Sequence, residues 1–226
     1  MTAPFYVPPE QLVKDRADFA RKGIGRGRPI VVAQVHEGVL LVGENASPTL
    51  RKIGEIYDRV AFAGVGRFNE FETLRVAGVR YADLKGYSYA RADVTGKGLA
   101  NAYSQTLGQI FSHEVKPYEV DIVVAEVGAT SDDDHLFHIQ FDGTLRDAEG
   151  LAVVGSDEDT IATAMDAKHG SDVSLDAALA AACNAIEAAT DHPIAIDAWE
   201  TGFLDRTADR RTFRRLSADE IAKARS

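Results

Sequence analysis

The chain has 226 residues, enough for one large domain or two small ones, and at that length about 70% of the unfolded surface can be buried. Asp and Glu number 35 against 25 Lys and Arg, a net charge of -10 that disfavours nucleic acid and anionic membrane surfaces as partners. The single cysteine, Cys183, excludes an internal disulfide and an all-cysteine zinc site and suits a reducing compartment. No run reaches the 18 to 20 apolar residues, roughly, that span a bilayer, and the Ala-rich run from Ala177 to Ile186 stops at Glu187. The first residues lack the basic start and apolar segment of a secretory signal, so a cytoplasmic protein is expected.

Residues 1–8 carry prolines and aromatics without periodicity and read as a flexible segment. A helix is predicted over 9–22. Pro9 opens it, Glu10 lies in its first turn, Arg21 and Lys22 in its last, and Gly23 ends it. Leu12, Val13, Ala17, Phe19 and Ala20 form its apolar stripe. Four strands follow: Ile30–Val35 and Val39–Val42 around the hairpin signal His36-Glu37-Gly38, then Leu50–Tyr57 and Val60–Val65. Two helices come next, one marked by Phe68, Phe71, Leu74 and Tyr81, the other by Leu99, Tyr103, Leu107 and Ile110. The pattern then repeats. Strands are predicted at Val120–Val127, His135–Phe141 and Leu151–Val154. A helix follows a capping-box-like Ser156-Asp157-Glu158-Asp159, and a second helix carries Leu175, Leu179, Cys183 and Ile186. Ile194–Trp199 and Arg211–Leu216 read as closing strands, and Ser217-Ala218-Asp219-Glu220 starts a final helix.

Strand groups followed by helix pairs, twice over, indicate an α+β fold rather than strict βαβ alternation. Two stacked antiparallel sheets with a helix pair outside each are expected. No linker divides the halves, so residues 1–226 are read as one domain.

The chemistry-bearing residue types are sparse. Gly64-Val65-Gly66 has Asn69 where a dinucleotide fingerprint needs its third glycine, and reads as a strand-to-helix turn. Gly23-Ile24-Gly25-Arg26-Gly27-Arg28 suits either an anion cradle or a flexible turn. Ser131-Asp132-Asp133-Asp134 lacks the spacing of a calcium loop and reads as a solvated turn. His135 and His138 face opposite ways on a strand and cannot share a metal; all six histidines read as surface residues. Cys183 lies on an apolar stripe and reads as a buried small hydrophobe. No serine elbow or assignable triad exists, so no catalytic centre, cofactor or metal site is predicted.

Several segments together resemble the proteasome α subunits: Val39-Leu40-Leu41-Val42, Arg51-Lys52-Ile53 before Tyr57-Asp58, Val60-Ala61-Phe62-Ala63-Gly64, and Lys116-Pro117-Tyr118 before a strand. The leading helix and the phrase Gly66-Arg67-Phe68-Asn69-Glu70-Phe71-Glu72 are similar to the actinobacterial form. The resemblance implies a four-layer αββα sandwich. In the catalytic relatives an N-terminal threonine heads the first strand and serves as nucleophile and base. Here that place falls at Arg28, followed by Pro29, while Glu44 and Lys52 stand where the relatives keep a supporting acid and lysine. The resemblance therefore implies a subunit that is not an enzyme by itself. The runner-up is an active threonine-type N-terminal-nucleophile peptidase, which would need processing to expose Thr2 or another threonine.

The resemblance further implies a seven-membered ring of copies of this chain capping rings of β subunits. Residues 1–8, with Phe5, Tyr6, Val7 and Pro8, would gate the entry of unfolded, tagged substrate proteins. A regulatory ring ATPase would dock its C-terminal tails in pockets marked by Lys52, Gly27 and Gly66, with Lys52 pairing with the terminal carboxylate. Arg67 departs from the apolar residue of archaeal relatives.

Overall fold

The computed structural model describes residues 8–47 and 49–226. Period-two alternation builds two five-stranded antiparallel sheets. The first has the order β10-β9-β2-β1-β8, from β1 (Ile30–Val35), β2 (Gly38–Glu44), β8 (Leu151–Val154), β9 (Trp199–Asp205) and β10 (Phe213–Arg214). The second has the order β3-β4-β5-β6-β7, from β3 (Ile53–Tyr57), β4 (Val60–Gly66), β5 (Val120–Glu126), β6 (His135–Ile139) and β7 (Leu145–Ala148). Among the described residues six helices accompany them: α1 (Pro9–Ile24), α2 (Phe68–Ser88), α3 (Gly96–His113), α4 (Glu158–Ala164), α5 (Leu175–Thr190) and α6 (Ala218–Ala224).

Alternate residues of each strand serve different layers. Ile30 and Val32 of β1, with Val39 and Leu41 of β2, meet Ala61, Ala63 and Val65 of β4 and Val123 and Ala125 of β5 between the sheets. Their neighbours Val31, Ala33, Leu40 and Val42 face outward onto Ile161 of α4, Leu179, Cys183 and Ile186 of α5, and Ile221 of α6. On the second sheet Val60, Phe62, Ile122 and Val124 face Phe71 and Leu74 of α2 and Leu99, Tyr103 and Leu107 of α3. The four layers are thus helices, sheet, sheet, helices, as expected. The helix α1 stands apart: Ala20 and Ile24 pack with Phe141, and Arg16 donates to the carbonyls of Ile110 and Phe111 at the end of α3.

Four details depart from the sequence reading. The strand expected at Ile194–Trp199 is a short 3-10 turn at Ile196–Ala198, and the strand proper is β9, beginning at Trp199. The strand β7 was not foreseen; its half-exposed sequence Leu145-Arg146-Asp147-Ala148 lies at a sheet edge and has no apolar alternation. The capping box at Ser156 does not form. Asp157, with φ +56°, is the N-cap and its side chain bonds to no helix amide, and the Ser156 N–H, which a box would give to Asp159, donates to the Gly27 carbonyl at 3.1 Å. The box at Ser217 and Glu220 does form. Finally, Asp134 and His138 are not solvated: Asp134 is bound by Arg206 at 2.7 Å, and His138 Nε2 lies 2.6 Å from Asp121 in a largely buried pair across β5 and β6.

Candidate functional site

The turn from α1 into β1 is built on glycine. A Cβ on Gly27 would lie 2.2 Å from Val65 Cγ1 and 3.2 Å from the Gly66 nitrogen, so the two glycine backbones pass in direct contact. Gly66, with φ +109°, turns β4 into α2, and a Cβ there would lie 1.9 Å from the Glu119 carbonyl oxygen. A side chain at Gly27 would have to displace Val65, and one at Gly66 the Glu119 main chain.

Lys52 sits one residue before β3. Its amine donates to the carbonyls of Arg28 at 3.1 Å and Glu44 at 3.0 Å. Lys52 thus reaches the carbonyl of the residue after Gly27, and Gly27 in turn touches Gly66. Burial lowers the Lys52 pKa to about 8; the carboxylates of Glu200 and then Glu44 oppose that fall, and Arg28 adds slightly to it.

Glu44, on β2, is buried and forms an ion pair with Arg28. His192 Nε2 lies 3.3 Å from the same carboxylate, and its Nδ1 donates to the Thr190 carbonyl at 3.1 Å. That hydrogen bond first, and Glu44 second, raise the His192 pKa. Arg26, Gly27, Arg28 and His192 line an open cleft of about 370 Å³. Arg67 does not project freely beside Gly66: its side chain pairs with Glu119 at 3.3 Å and its N–H donates to the Glu119 carbonyl at 2.9 Å.

Arg28 and Pro29 occupy the head of β1. The groups bonded to Lys52 are carbonyls, with carboxylates and a guanidinium nearby, and no hydroxyl or thiol is among them. Cys183 is buried in the α5 layer, where desolvation pushes its thiol up to about 12. The Lys52 amine keeps one hydrogen for a further acceptor, and no hydroxyl or thiol stands among the groups named around it. Of the expected gate residues, Phe5, Tyr6 and Val7 lie outside the described residues. Pro8 is exposed and extended at the start of α1.

Sequence reasoning missed Glu200, Asn45 and His192. The Glu200 carboxylate accepts from the Lys52 and Ile53 amides, both at 3.1 Å, and from Asn45 Nδ2 at 2.5 Å. Spacing could not have signalled it, because Glu200 lies 148 residues from Lys52 in the chain.

Comparison with known proteins bears on the chain as a whole. Residues 24–200 match the family described as "Proteasome subunit". A protein named "Proteasome subunit alpha" from Thermomonospora curvata is 52% identical, over 98% of this chain and 96% of the relative. One of the same name from Kineococcus radiotolerans is 54% identical over 98% and 97%, and one from Pseudarthrobacter chlorophenolicus 50% over 98% and 98%. With a sandwich of the expected layers, an arginine at the head of β1 and full-length likeness to these relatives, the chain belongs to the proteasome subunit family, on its alpha branch.

Proposed function

We propose that this chain is a non-catalytic ring subunit of a cytoplasmic proteasome core particle, in which seven copies close a ring over β subunits. Residues 1–8 gate the entry of unfolded, tagged proteins, and the pocket of Lys52, Gly27 and Gly66 receives the C-terminal tails of a ring ATPase. The observation that carries the reading is the Lys52 amine, fixed by two carbonyls, one of them that of Arg28, the residue after Gly27. Two of its three hydrogens are engaged, which leaves one for an incoming carboxylate. The absence of a hydroxyl at the head of β1 supports a structural rather than a hydrolytic role.

One partly exposed lysine–carboxylate pair contributes about 0–1 kcal/mol, too little to hold an activator. Several tails engaging one ring multiply affinity by roughly 10²–10⁴ through effective concentration. The test uses the particle assembled with its β partner. Lys52→Ala should abolish most ATPase-stimulated protein degradation while rings of normal mass persist. Removal of residues 1–8 should raise peptide hydrolysis without the ATPase. Unchanged stimulation in Lys52→Ala overturns the docking assignment, and a threonine-directed probe that labels this chain overturns the non-catalytic one.

A further inference from the structure

Glu200 is the most thoroughly occupied carboxylate near the pocket. It is 2% exposed, on β9 of the first sheet, yet its hydrogen bonds reach the second. Oε2 accepts from the Lys52 N–H and from Asn45 Nδ2; Oε1 accepts from the Ile53 N–H and from Arg215 Nη1 at 3.3 Å. A buried carboxylate this well supplied with donors stays in place, whereas an unsupplied one would be costly. The strand β3 lies at the edge of its sheet, and Glu200 takes up the outward amides at its start. On the other side the Lys52 carbonyl accepts from the Gly64 N–H at 2.9 Å. Both polar groups of the Lys52 backbone are therefore fixed, one by each sheet, before the side chain begins.

We propose that Glu200 is the positioning residue of the tail-docking pocket: its carboxylate anchors the Lys52 backbone and supplies the negative charge that keeps the Lys52 amine ready for a ligand carboxylate. The inference rests on the docking reading above and adds the residue that makes Lys52 competent. The charged groups facing Lys52 are Glu200 from β9, Glu44 from β2 and Arg28 from the lead into β1. Arg215 faces Glu200, and Arg28 and His192 face Glu44. Glu200 and, after it, Glu44 oppose the fall that burial imposes on the Lys52 amine. Arg28 and His192 both draw on Glu44, so Glu200 is the carboxylate less shared with the cleft.

The test compares the wild-type particle with Glu200→Gln, which keeps the shape and removes the charge. Competitive acetylation of Lys52 across a pH series, read by mass spectrometry, reports where the amine loses its proton. In parallel, a fluorescein-labelled peptide copying the ATPase tail is titrated with a free C-terminal carboxylate and as its amidated twin. In Glu200→Gln the acetylation midpoint should move to lower pH. Affinity for the free-acid peptide near neutral to mildly alkaline pH should drop roughly two- to fivefold, the size of one partly exposed ion pair. Acidification should restore it, and the amidated peptide should be indifferent. A merely structural role would not lower the midpoint, because a loosened Lys52 gains water and titrates higher. An unchanged or raised midpoint overturns the proposal. A shifted midpoint with equal wild-type affinity for both peptides upholds the positioning of Lys52 and overturns the docking reading instead. Should Glu200→Gln fail to assemble, Glu200→Asp, one methylene short of the two amides, should show the same changes at smaller size; wild-type behaviour in that variant also overturns the proposal.

Discussion

The helices α1 and α5 have the same length and each carries an apolar stripe, but only α5 buries it. Leu179, Ala182, Cys183 and Ile186 of α5 lie fully against β1 and β2. On α1, Leu12, Val13 and Phe19 remain 53%, 52% and 48% exposed, and only Ala20 and Ile24 are covered. The α1 helix is attached by other means, chiefly Arg16 donating to carbonyls at the end of α3. An apolar stripe predicts a helix; it does not say that the partner surface belongs to the same chain. For α5 the partner is a sheet of this chain, whereas for α1 a stripe left open on a subunit of a larger particle suits contact with a neighbour.

Three substitutions would break or sharpen this contrast. Leu179→Ala should be the most damaging, lowering stability by about 2–5 kcal/mol through a cavity under α5, measured by urea unfolding of the isolated chain. A loss under about 1 kcal/mol would mean that the α5 layer is loosely packed. Ser174→Ala removes the hydroxyl that accepts from the Ala177 amide at the start of α5. It should cost about 1 kcal/mol in the same measurement, whereas α1 begins at Pro8 and Pro9 with no side-chain cap to lose. Phe19→Ser should change the stability of the isolated chain least, within about 0.5 kcal/mol, and should weaken ring formation as read by native mass spectrometry. If Phe19→Ser unfolds the chain as readily as Leu179→Ala, the distinction between the two helices fails.

The layers were legible because apolar alternation with period two and stripes at helical spacing survive in the sequence almost everywhere a core is formed. The misplaced closing strand shows where that signal ends. Ile194, Ala195 and Ile196 look like a strand, but Pro193 precedes them and a 3-10 turn follows. The true strand, Trp199-Glu200-Thr201-Gly202-Phe203-Leu204-Asp205, hides its register because Glu200 and Thr201 are buried polar residues. Each is explained only by a partner distant in the chain or across a turn: the edge amides of β3 for Glu200, and the Leu216 backbone for Thr201. The same limit applied at the pocket. Lys52, Gly27 and Gly66 were marked by resemblance, while Glu200, Asn45 and His192 acquire meaning only when the two sheets are stacked. His138, likewise read as a surface group, is largely buried and pairs with Asp121 on the next strand, two residues along from its register partner Val123.

The open side of α1 also bears on solubility. Leu12, Val13 and Phe19 all reach solvent on the chain alone, so a copy without a neighbour on that side is expected to self-associate more readily as concentration rises.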